Sequence, residues 1–161
     1  MSGASSWSFR EEDARAIQVI LSGFLAESNA RTTLIVDRTG QMVATVGEAP
    51  RFDPTAFASL TAADFSANDQ LARMLGEPEF GALFHQGERE SMYLADVARR
   101  VILVVLFDNR TTLGLVRLKM KATVEELNTL FTAVFERARD ARHSQTGLLA
   151  GAEDEIDKMF Q

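Results

Sequence analysis

The sequence contains no cysteine at all and only two histidines. Without cysteine there are no disulfide bonds, no thiol nucleophile and no cysteine-bound metal, which is consistent with a reducing compartment. No acidic cluster of metal-ligand spacing surrounds His85 or His143 in the sequence. We therefore expect no metal site and no cofactor, and we assign structural or surface roles to both histidines.

Long apolar runs are also absent. The longest run, at 101–107, has seven residues, whereas a membrane helix needs about 20. Residues 1–15 contain no apolar signal core, so we expect neither a membrane span nor a secretion signal. The net charge of −6 disfavours nucleic acid as a partner, because nucleic-acid binding depends on clustered cations. These features together predict a cytoplasmic protein.

Motifs that carry catalysis are missing as well. The chain has neither the glycine-rich phosphate loop of nucleotide-binding proteins nor the Gly-x-Ser-x-Gly turn of serine hydrolases. Its carboxylates are scattered, and nothing singles out an acid–base pair among them. An ordinary small enzyme is therefore the interpretation with the least support.

Arg110 is the one residue whose position suggests chemistry. It follows Asp108 and Asn109 in the loop between a predicted strand and the last predicted helix. An arginine in such a loop can act as a finger that stabilises charge in the active site of a GTPase. The alternative is a surface arginine that pairs with its acidic neighbour or orders the loop, and this is the alternative that we favour.

The length and composition are those of one ordinary globular domain, with 161 residues of which 46% are hydrophobic. The spacing of apolar residues predicts the order helix, two strands, helix, three strands, helix, which is an α/β (α+β) arrangement. Ser8 and Glu11 match a capping box for the first helix, and Gly40 is the predicted turn residue between the first two strands. The strand at 101–107 is apolar on both faces, so we expect it at the centre of the sheet. Residues 1–7 are predicted to be disordered.

The middle helix is predicted to start at Asp53 and Pro54 and to end near Leu75. Its larger apolar residues predict a buried stripe, formed by Phe57, Leu60, Ala67, Leu71 and Met74. Another flank of this helix has only small side chains, namely Ala58, Ala62, Ala63 and Ser66. Small side chains permit close approach, so this flank is predicted to dock a partner or a second copy. The alternative is that alanine is simply a good helix former.

The stretch at 107–121 fits two patterns. Apolar and basic residues alternate at 116–121, which is typical of a strand, but apolar residues also recur at three- and four-residue steps through Val134. Because the helical spacing extends much further, we predict one helix from about Thr112 to Ala141. The folded domain then covers 8–143, followed by a flexible linker at 144–152 and an amphipathic partner-binding segment at 153–161.

The terminal segment places Ile156, Met159 and Phe160 at positions i, i+3 and i+4 among acidic residues. So short a segment does not fold alone. It can supply anchors for a groove on a partner, or it can pack back onto its own domain. The residues leave both alternatives open.

Five stretches carry a resemblance to a known family. They are LIVDRTGQMVATVG, ASLTAAD, FHQGERESMYL, RVILVVLFDNRTTLGLVRLKMK and the terminal EDEIDKMF. The chain resembles the MglB proteins of the roadblock/LC7 family. This implies a roadblock/LC7 fold, in which a five-stranded antiparallel sheet has helices on both faces. It also implies a homodimer that binds a Ras-like GTPase of the MglA type, two chains to one GTPase, and stimulates GTP hydrolysis without an arginine finger.

The resemblance also implies which residues meet the partner. The docking face carried over from the family consists of Ala62, Ala63, Ser66, Ala67, Gln70 and Arg73. The residues Ile156, Met159 and Phe160 correspond to a tail helix that reaches a separate surface of the GTPase. The family sets polarity in motile rod-shaped bacteria, so the resemblance implies enrichment at a cell pole and other polarity proteins as further partners.

One stretch departs from the family pattern. MglB proteins keep small residues through the second half of the docking helix, whereas this chain has FSANDQ at 65–70. The departure predicts either a surface changed together with its GTPase, or a roadblock adaptor that binds or localises a GTPase without stimulating hydrolysis. In both cases we expect a dimer that pairs the middle helices and the edge strand at 80–86 into one continuous sheet.

Overall fold

The computed structural model describes residues 8–160. It contains helices α1 (Glu11–Ser28), α2 (Pro54–Met74) and α3 (Leu113–Met159), and strands β1 (Thr32–Asp37), β2 (Met42–Gly47), β3 (Ala82–Gln86), β4 (Ser91–Val97) and β5 (Val101–Phe107). The five strands form one antiparallel sheet in the order β2-β1-β5-β4-β3. The predicted order of elements and the predicted fold are confirmed. The predicted disorder at 1–7 lies outside the described residues.

Strand β5 is the central strand of the sheet and is covered on both faces, as its composition predicts. One set of its side chains, from Val101 to Phe107 in alternation, packs in the cluster that α1 and α3 complete. The alternate residues Ile102 and Val104 pack in a second cluster with Phe65 of α2. Because strand side chains point to opposite faces in turn, an unbroken apolar strand needs a helix layer on each side.

Local signals correctly mark two of the predicted boundaries. The Asp53 carboxylate accepts a hydrogen bond from the Thr55 backbone N–H at 3.0 Å, so Asp53 caps α2 with Pro54 in the first turn. Gly40 has a φ of +97° in the turn between β1 and β2. That conformation is one that residues with a Cβ rarely adopt.

The predicted capping box of the first helix is wrong. Helix α1 begins at Glu11, one residue after Arg10, and the Arg10 backbone N–H donates to the Asp13 carboxylate at 2.9 Å. Ser8 and Glu11 therefore do not form the cap. Three acidic residues in the first turn, at 11–13, complement the positive end of the helix dipole and favour this start.

The predicted end of the last helix is also wrong. Helix α3 continues past Ala141, through the predicted linker at 144–152, and ends at Met159. Gly147 and Gly151 each disfavour the helix by about 1 kcal/mol, but no proline interrupts it. Every side chain at 141–160 is exposed, so the terminal segment does not pack back onto its own domain.

An ion pair joins the start of α1 to α3. The Asp13 carboxylate accepts a hydrogen bond from the Arg137 guanidinium in addition to the one from the Arg10 backbone. Burial raises the pKa of the Asp13 carboxyl, but these two partners outweigh burial and hold the pKa below its ordinary value of 3.8. The charged form is therefore the one that the fold favours.

We expect Asp13→Asn to lower the free energy of unfolding by about 1 kcal/mol at neutral pH. Because the folded-state pKa is depressed, the stabilisation is present above the ordinary pKa and is lost as the pH falls through the lowered one. Urea unfolding of both proteins at neutral pH and at about pH 3 measures this.

The matched control is Glu12→Gln, which removes an exposed carboxylate from the same turn and should change stability little. A stability difference for Asp13→Asn that is equally large at the two pH values would contradict the prediction.

Candidate partner-binding surface

Helix α2 packs on the sheet with the side opposite to the one that its large apolar residues predict. The side that faces the sheet consists of Ala58, Thr61, Ala62, Phe65, Asn68 and Ala72, all of them buried. The predicted buried residues Leu60, Leu71 and Met74 are instead 71%, 55% and 83% exposed. The prediction of a buried Leu-Met stripe is therefore wrong. The small residues let α2 lie close to the sheet, where Phe65 is fully buried and Phe57, the one large stripe residue that does face the core, is partly buried.

The exposed side of α2 carries an apolar stripe. Its members recur at three- and four-residue steps and are Leu60, Ala63, Ala67, Leu71 and Met74. We call this set the α2 stripe. The sequence pattern predicts that its large members are buried. An apolar helix face, however, can be covered by the protein's own sheet or remain exposed, and the pattern does not distinguish the two. The run of small residues on the other side is the signal that identifies the packed face.

The six α2 residues assigned to docking divide into three groups. Ala62 is buried against the sheet, so we exclude it from the exposed surface. Ala63 and Ala67 belong to the α2 stripe. Ser66, Gln70 and Arg73 are exposed along one flank, where they line a groove of about 270 Å³ beside Arg38. Their contact with a partner stays a prediction.

The unusual residues in the second half of α2 fasten the helix to the sheet. Phe65 is 1% exposed and Asn68 is also buried. The Asp69 carboxylate accepts a hydrogen bond from the Arg38 guanidinium at 2.6 Å. The same guanidinium donates to Asp96 of β4 and lies over the Phe65 ring, 5.2 Å from its centroid. Of the FSANDQ stretch, only the small or polar residues at 66, 67 and 70 face outward.

The environment of Arg38 favours its charged form. Burial lowers the pKa of Arg38, but the hydrogen bonds to Asp96 and Asp69 outweigh burial and raise the pKa above its ordinary value. Arg38 lies in the turn between β1 and β2, so this one side chain connects that turn to α2 and to β4. These contacts help to hold the Phe65 side of α2 against the sheet.

Strand β3 forms the edge of the sheet next to α2. It pairs with β4 along one side, and in the described part of the chain no strand pairs with its other side. The His85 imidazole Nε2 lies 2.6 Å from the Asp64 carboxylate, which ties the edge strand to α2. Through this contact the open edge of β3, with its unpaired backbone donors and acceptors, lies near the helix that carries the α2 stripe.

Arg110 is held in an ion-pair network at one end of the sheet. Its guanidinium donates to Asp108 at 3.0 Å and to Glu48 at 3.0 Å, and Arg31 also donates to Glu48 at 2.8 Å. The hydrogen bonds to Asp108 and Glu48 raise the pKa of Arg110 well above its ordinary value. Hydrogen bonds from Arg31 and Arg110 lower the pKa of Glu48. The geometry is that of a surface arginine paired with its acidic neighbours, the alternative favoured above.

The terminal part of α3 carries a second exposed apolar surface. The predicted anchors Ile156, Met159 and Phe160 are all exposed on it. Leu148 and Leu149 extend this surface toward the domain, and the linker prediction had overlooked them. A continuous helix, rather than a tether, presents these side chains.

Other kinds of site find no support among the described residues. No group of three histidine, cysteine or carboxylate side chains at 8–160 could hold a metal ion. Among these residues, no helix is both long and apolar enough to cross a membrane. The two exposed apolar surfaces are thus the main features to explain.

Comparison with known proteins identifies the family. The family model described as the Roadblock/LC7 domain matches residues 16–107. MglB from Myxococcus xanthus is 41% identical, with a TM-score of 0.69, over 73% of this chain and 95% of that one. The chain belongs to the roadblock/LC7 family. At this identity, MglB from Myxococcus xanthus is a relative of the chain within that family.

Two further solved structures agree. The gliding protein MglB from Thermus thermophilus is 31% identical with a TM-score of 0.72, over 78% of this chain and 95% of that one. A structure described as MglB with a tetrameric arrangement has the same identity and TM-score. A roadblock/LC7 domain from Streptomyces avermitilis, at 12% identity and a TM-score of 0.64, supports the fold alone. A comparison with curated proteins gave no match.

The corrected orientation of α2 leads to a stability prediction. Phe65→Ala should lower the free energy of unfolding by about 3 kcal/mol, because it leaves a cavity between α2 and the sheet and removes the ring beneath Arg38. Chemical denaturation of the full chain measures the change. Ser66→Ala, on the exposed flank of the same helix, is the control and should stay within about 0.5 kcal/mol of the wild type. Equal effects of the two substitutions would mean that α2 is oriented differently.

Proposed function

We propose that the protein is a homodimeric GTPase-activating protein for a small Ras-like GTPase of the MglA type. The observation that carries this proposal is the α2 stripe beside the open edge of β3, an apolar surface for which the domain itself provides no cover. Its membership of the roadblock/LC7 family and its 41% identity to an MglB support the same assignment. The protein itself is then not an enzyme and needs no cofactor.

In this proposal the dimer pairs the edge strands β3 and the α2 helices of two copies into one continuous sheet. Pairing would satisfy the open backbone groups of β3. It would also bring two α2 helices side by side as a platform for one GTPase. The solved MglB described as having a tetrameric arrangement supports self-association as a property of such proteins.

The mechanism requires no catalytic residue in this chain. A dimer that binds the hydrolysis-competent arrangement of the GTPase more tightly than the resting one shifts the equilibrium toward that arrangement and accelerates turnover. The GTPase's own side chains then act on the γ-phosphate. The pairing of Arg110 with Asp108 and Glu48 supports a mechanism without an arginine finger, because an inserted arginine would have to leave both carboxylates.

The exposed end of α3 supplies a second contact in the proposal. Its apolar residues would anchor in a groove on a separate surface of the GTPase and make binding depend on the bound nucleotide. Because two identical copies bind a single GTPase, only one of their two C-terminal segments needs to contact it. The biological role that follows is control of cell polarity and gliding motility, in the cytoplasm and with enrichment at a cell pole, where other polarity proteins would also bind.

The adaptor alternative has lost the sequence feature that supported it. That feature was the FSANDQ stretch, whose bulky members Phe65, Asn68 and Asp69 contact the sheet and Arg38 rather than the exposed face. Binding of a GTPase without acceleration is accordingly an outcome of the assay below and not a second proposal.

The proposal is tested by single-turnover GTP hydrolysis of the cognate MglA-like GTPase, with and without this protein in two-to-one excess. We expect acceleration with the wild type. Ala63→Arg should reduce the acceleration at least about tenfold, because a long cation in the middle of the α2 stripe prevents close approach. Measuring the hydrodynamic mass of the variant separates a lost dimer from a lost GTPase contact.

The matched control is Ala26→Arg, which adds the same side chain at an exposed site of α1, away from the α2 stripe. It should accelerate hydrolysis as the wild type does. Hydrolysis at the intrinsic rate with wild-type protein that demonstrably binds the GTPase would leave only the adaptor function.

A second prediction concerns the exposed end of α3. The double substitution Met159→Ser and Phe160→Ser should weaken binding of the GTPase about tenfold or more without lowering the melting temperature, because both side chains are exposed in the free chain. Calorimetric titration and thermal unfolding give the two quantities. Leu118→Ser, an exposed apolar residue in the first part of α3, serves as the control. Loss of stability together with binding would instead indicate a structural role for the segment.

A further inference from the structure

A shallow groove lies between α3 and the strands β3 and β4, on the face of the sheet opposite α2. Its cavity volume is about 350 Å³. The apolar part of its surface comes from Ala82 of β3, Tyr93 of β4, and Met120 and Val124 of α3. Ala82, Tyr93 and Val124 are only partly buried, so apolar surface remains open there. We call this the α3 groove.

Two cations stand one turn apart on the α3 wall of this groove. Arg117 and Lys121 are exposed, and neither forms an ion pair with any residue that the structure describes. Asp96, at the other side of the groove, is engaged by Arg38, while Glu125 is the one carboxylate left in the groove without such a partner. The α3 groove therefore combines open apolar surface with a pair of cations free to bind an acidic segment.

The end of α3 has the complementary pattern. Ile156 and Phe160 project from one side of the helix and are exposed. Glu153 and Asp157 flank them, again one turn apart, and neither forms an ion pair among the described residues. Side chains at i and i+4 of a helix lie about 6 Å apart, so the two carboxylates and the two cations have matching spacings.

We propose that the α3 groove binds the C-terminal segment, residues 149–160, of a second copy of this chain. Glu153 and Asp157 pair with Arg117 and Lys121, while Ile156 and Phe160 cover the apolar surface left open by Ala82, Tyr93 and Val124. This contact is separate from the α2 stripe, and it does not depend on the proposed GTPase activation.

The occupant is a second copy because the chain's own segment does not reach the groove. Helix α3 is continuous from Leu113 to Met159. At about 1.5 Å per residue, Ile156 lies about 50 Å along the axis from Lys121, on the same straight element. The segment and the groove of one chain therefore cannot meet while the helix is intact, whereas those of two chains can.

Charge selects this groove over another one of similar size. A groove of about 420 Å³ between α1 and α3 also offers exposed apolar residues, Val19 and Leu118. There Lys119 already pairs with Glu27 at 3.6 Å, and Glu126 remains as an additional carboxylate. An acidic segment would meet repulsion in that groove, so it is disfavoured.

The apolar contacts provide most of the binding affinity, and the charges determine which groove the segment binds. An exposed ion pair contributes only about 0–1 kcal/mol, so two of them cannot hold the copies together alone. Like charges in their place, however, disfavour the complex. A segment bound in the α3 groove is also withheld from any other partner.

The test is a charge exchange in the full-length protein, without any GTPase. The groove variant is Arg117→Glu with Lys121→Glu, and the segment variant is Glu153→Lys with Asp157→Lys. Sedimentation velocity over a range of concentrations measures the association constant of the step that the segment mediates. We expect each variant alone to associate at least tenfold more weakly than the wild type, because each places like charges in the contact.

An equimolar mixture of the two variants provides the decisive measurement. In the mixture, the acidic groove of one variant meets the basic segment of the other, and the remaining groove and segment keep their original charges. We expect the mixture to regain the association of the wild type. Arg139→Glu with Arg142→Glu, two exposed arginines of α3 outside the groove, makes the same change of net charge and should associate as the wild type does.

Three results would overturn the inference. The first is a wild type whose association matches that of the segment variant at every concentration. The second is a mixture that stays as weak as its components. The third is an equal loss in the Arg139 and Arg142 control, which would show that net charge and not the groove governs the association.

Discussion

The contact between α2 and the sheet determines most of what the molecule can do. Small residues on one side of α2 let the helix approach the sheet closely, and Phe65 fills the space between them. Arg38 then connects the helix to both the first turn of the sheet and to β4 through two carboxylates. Because a helix has only one side to bury here, this arrangement forces Leu60, Leu71 and Met74 outward. The exposed apolar surface is thus a direct consequence of how the core is packed.

Periodicity predicts the elements of this chain well, and even at 107–121, where two patterns fit, the longer helical spacing gives the right element. The order of helices and strands, the central position of β5 and the cap at Asp53 are all confirmed. The orientation of α2 was not predictable in the same way. A helix with apolar residues on two sides is compatible with burying either, and the choice depends on the shape of a sheet that is assembled from distant parts of the chain.

The candidate site could be predicted only in part for the same reason. Of the flank predicted from small side chains, Ala63 and Ser66 are exposed, but Ala58 and Ala62 are buried. The resemblance to MglB points to α2 as the docking helix, and α2 is the helix that carries the exposed apolar stripe. The resemblance could not identify the role of FSANDQ, because the partner of Asp69 is an arginine that lies far away in sequence. The residues that depart from the family pattern are those that secure the helix in this particular chain.

The continuity of α3 changes how its end can act. A flexible tether would lose conformational entropy on binding, on the order of 1–2 kcal/mol for each residue that becomes ordered. A segment that is already helical avoids much of that loss, and it presents Leu149, Ile156 and Phe160 on one side before any partner arrives. It also carries the last of these side chains, Phe160, about 25 Å along the helix axis beyond residue 143. A rigid, exposed apolar helix is in turn prone to self-association. The α3 groove of a second copy, which carries the opposite charge, gives that association one defined site.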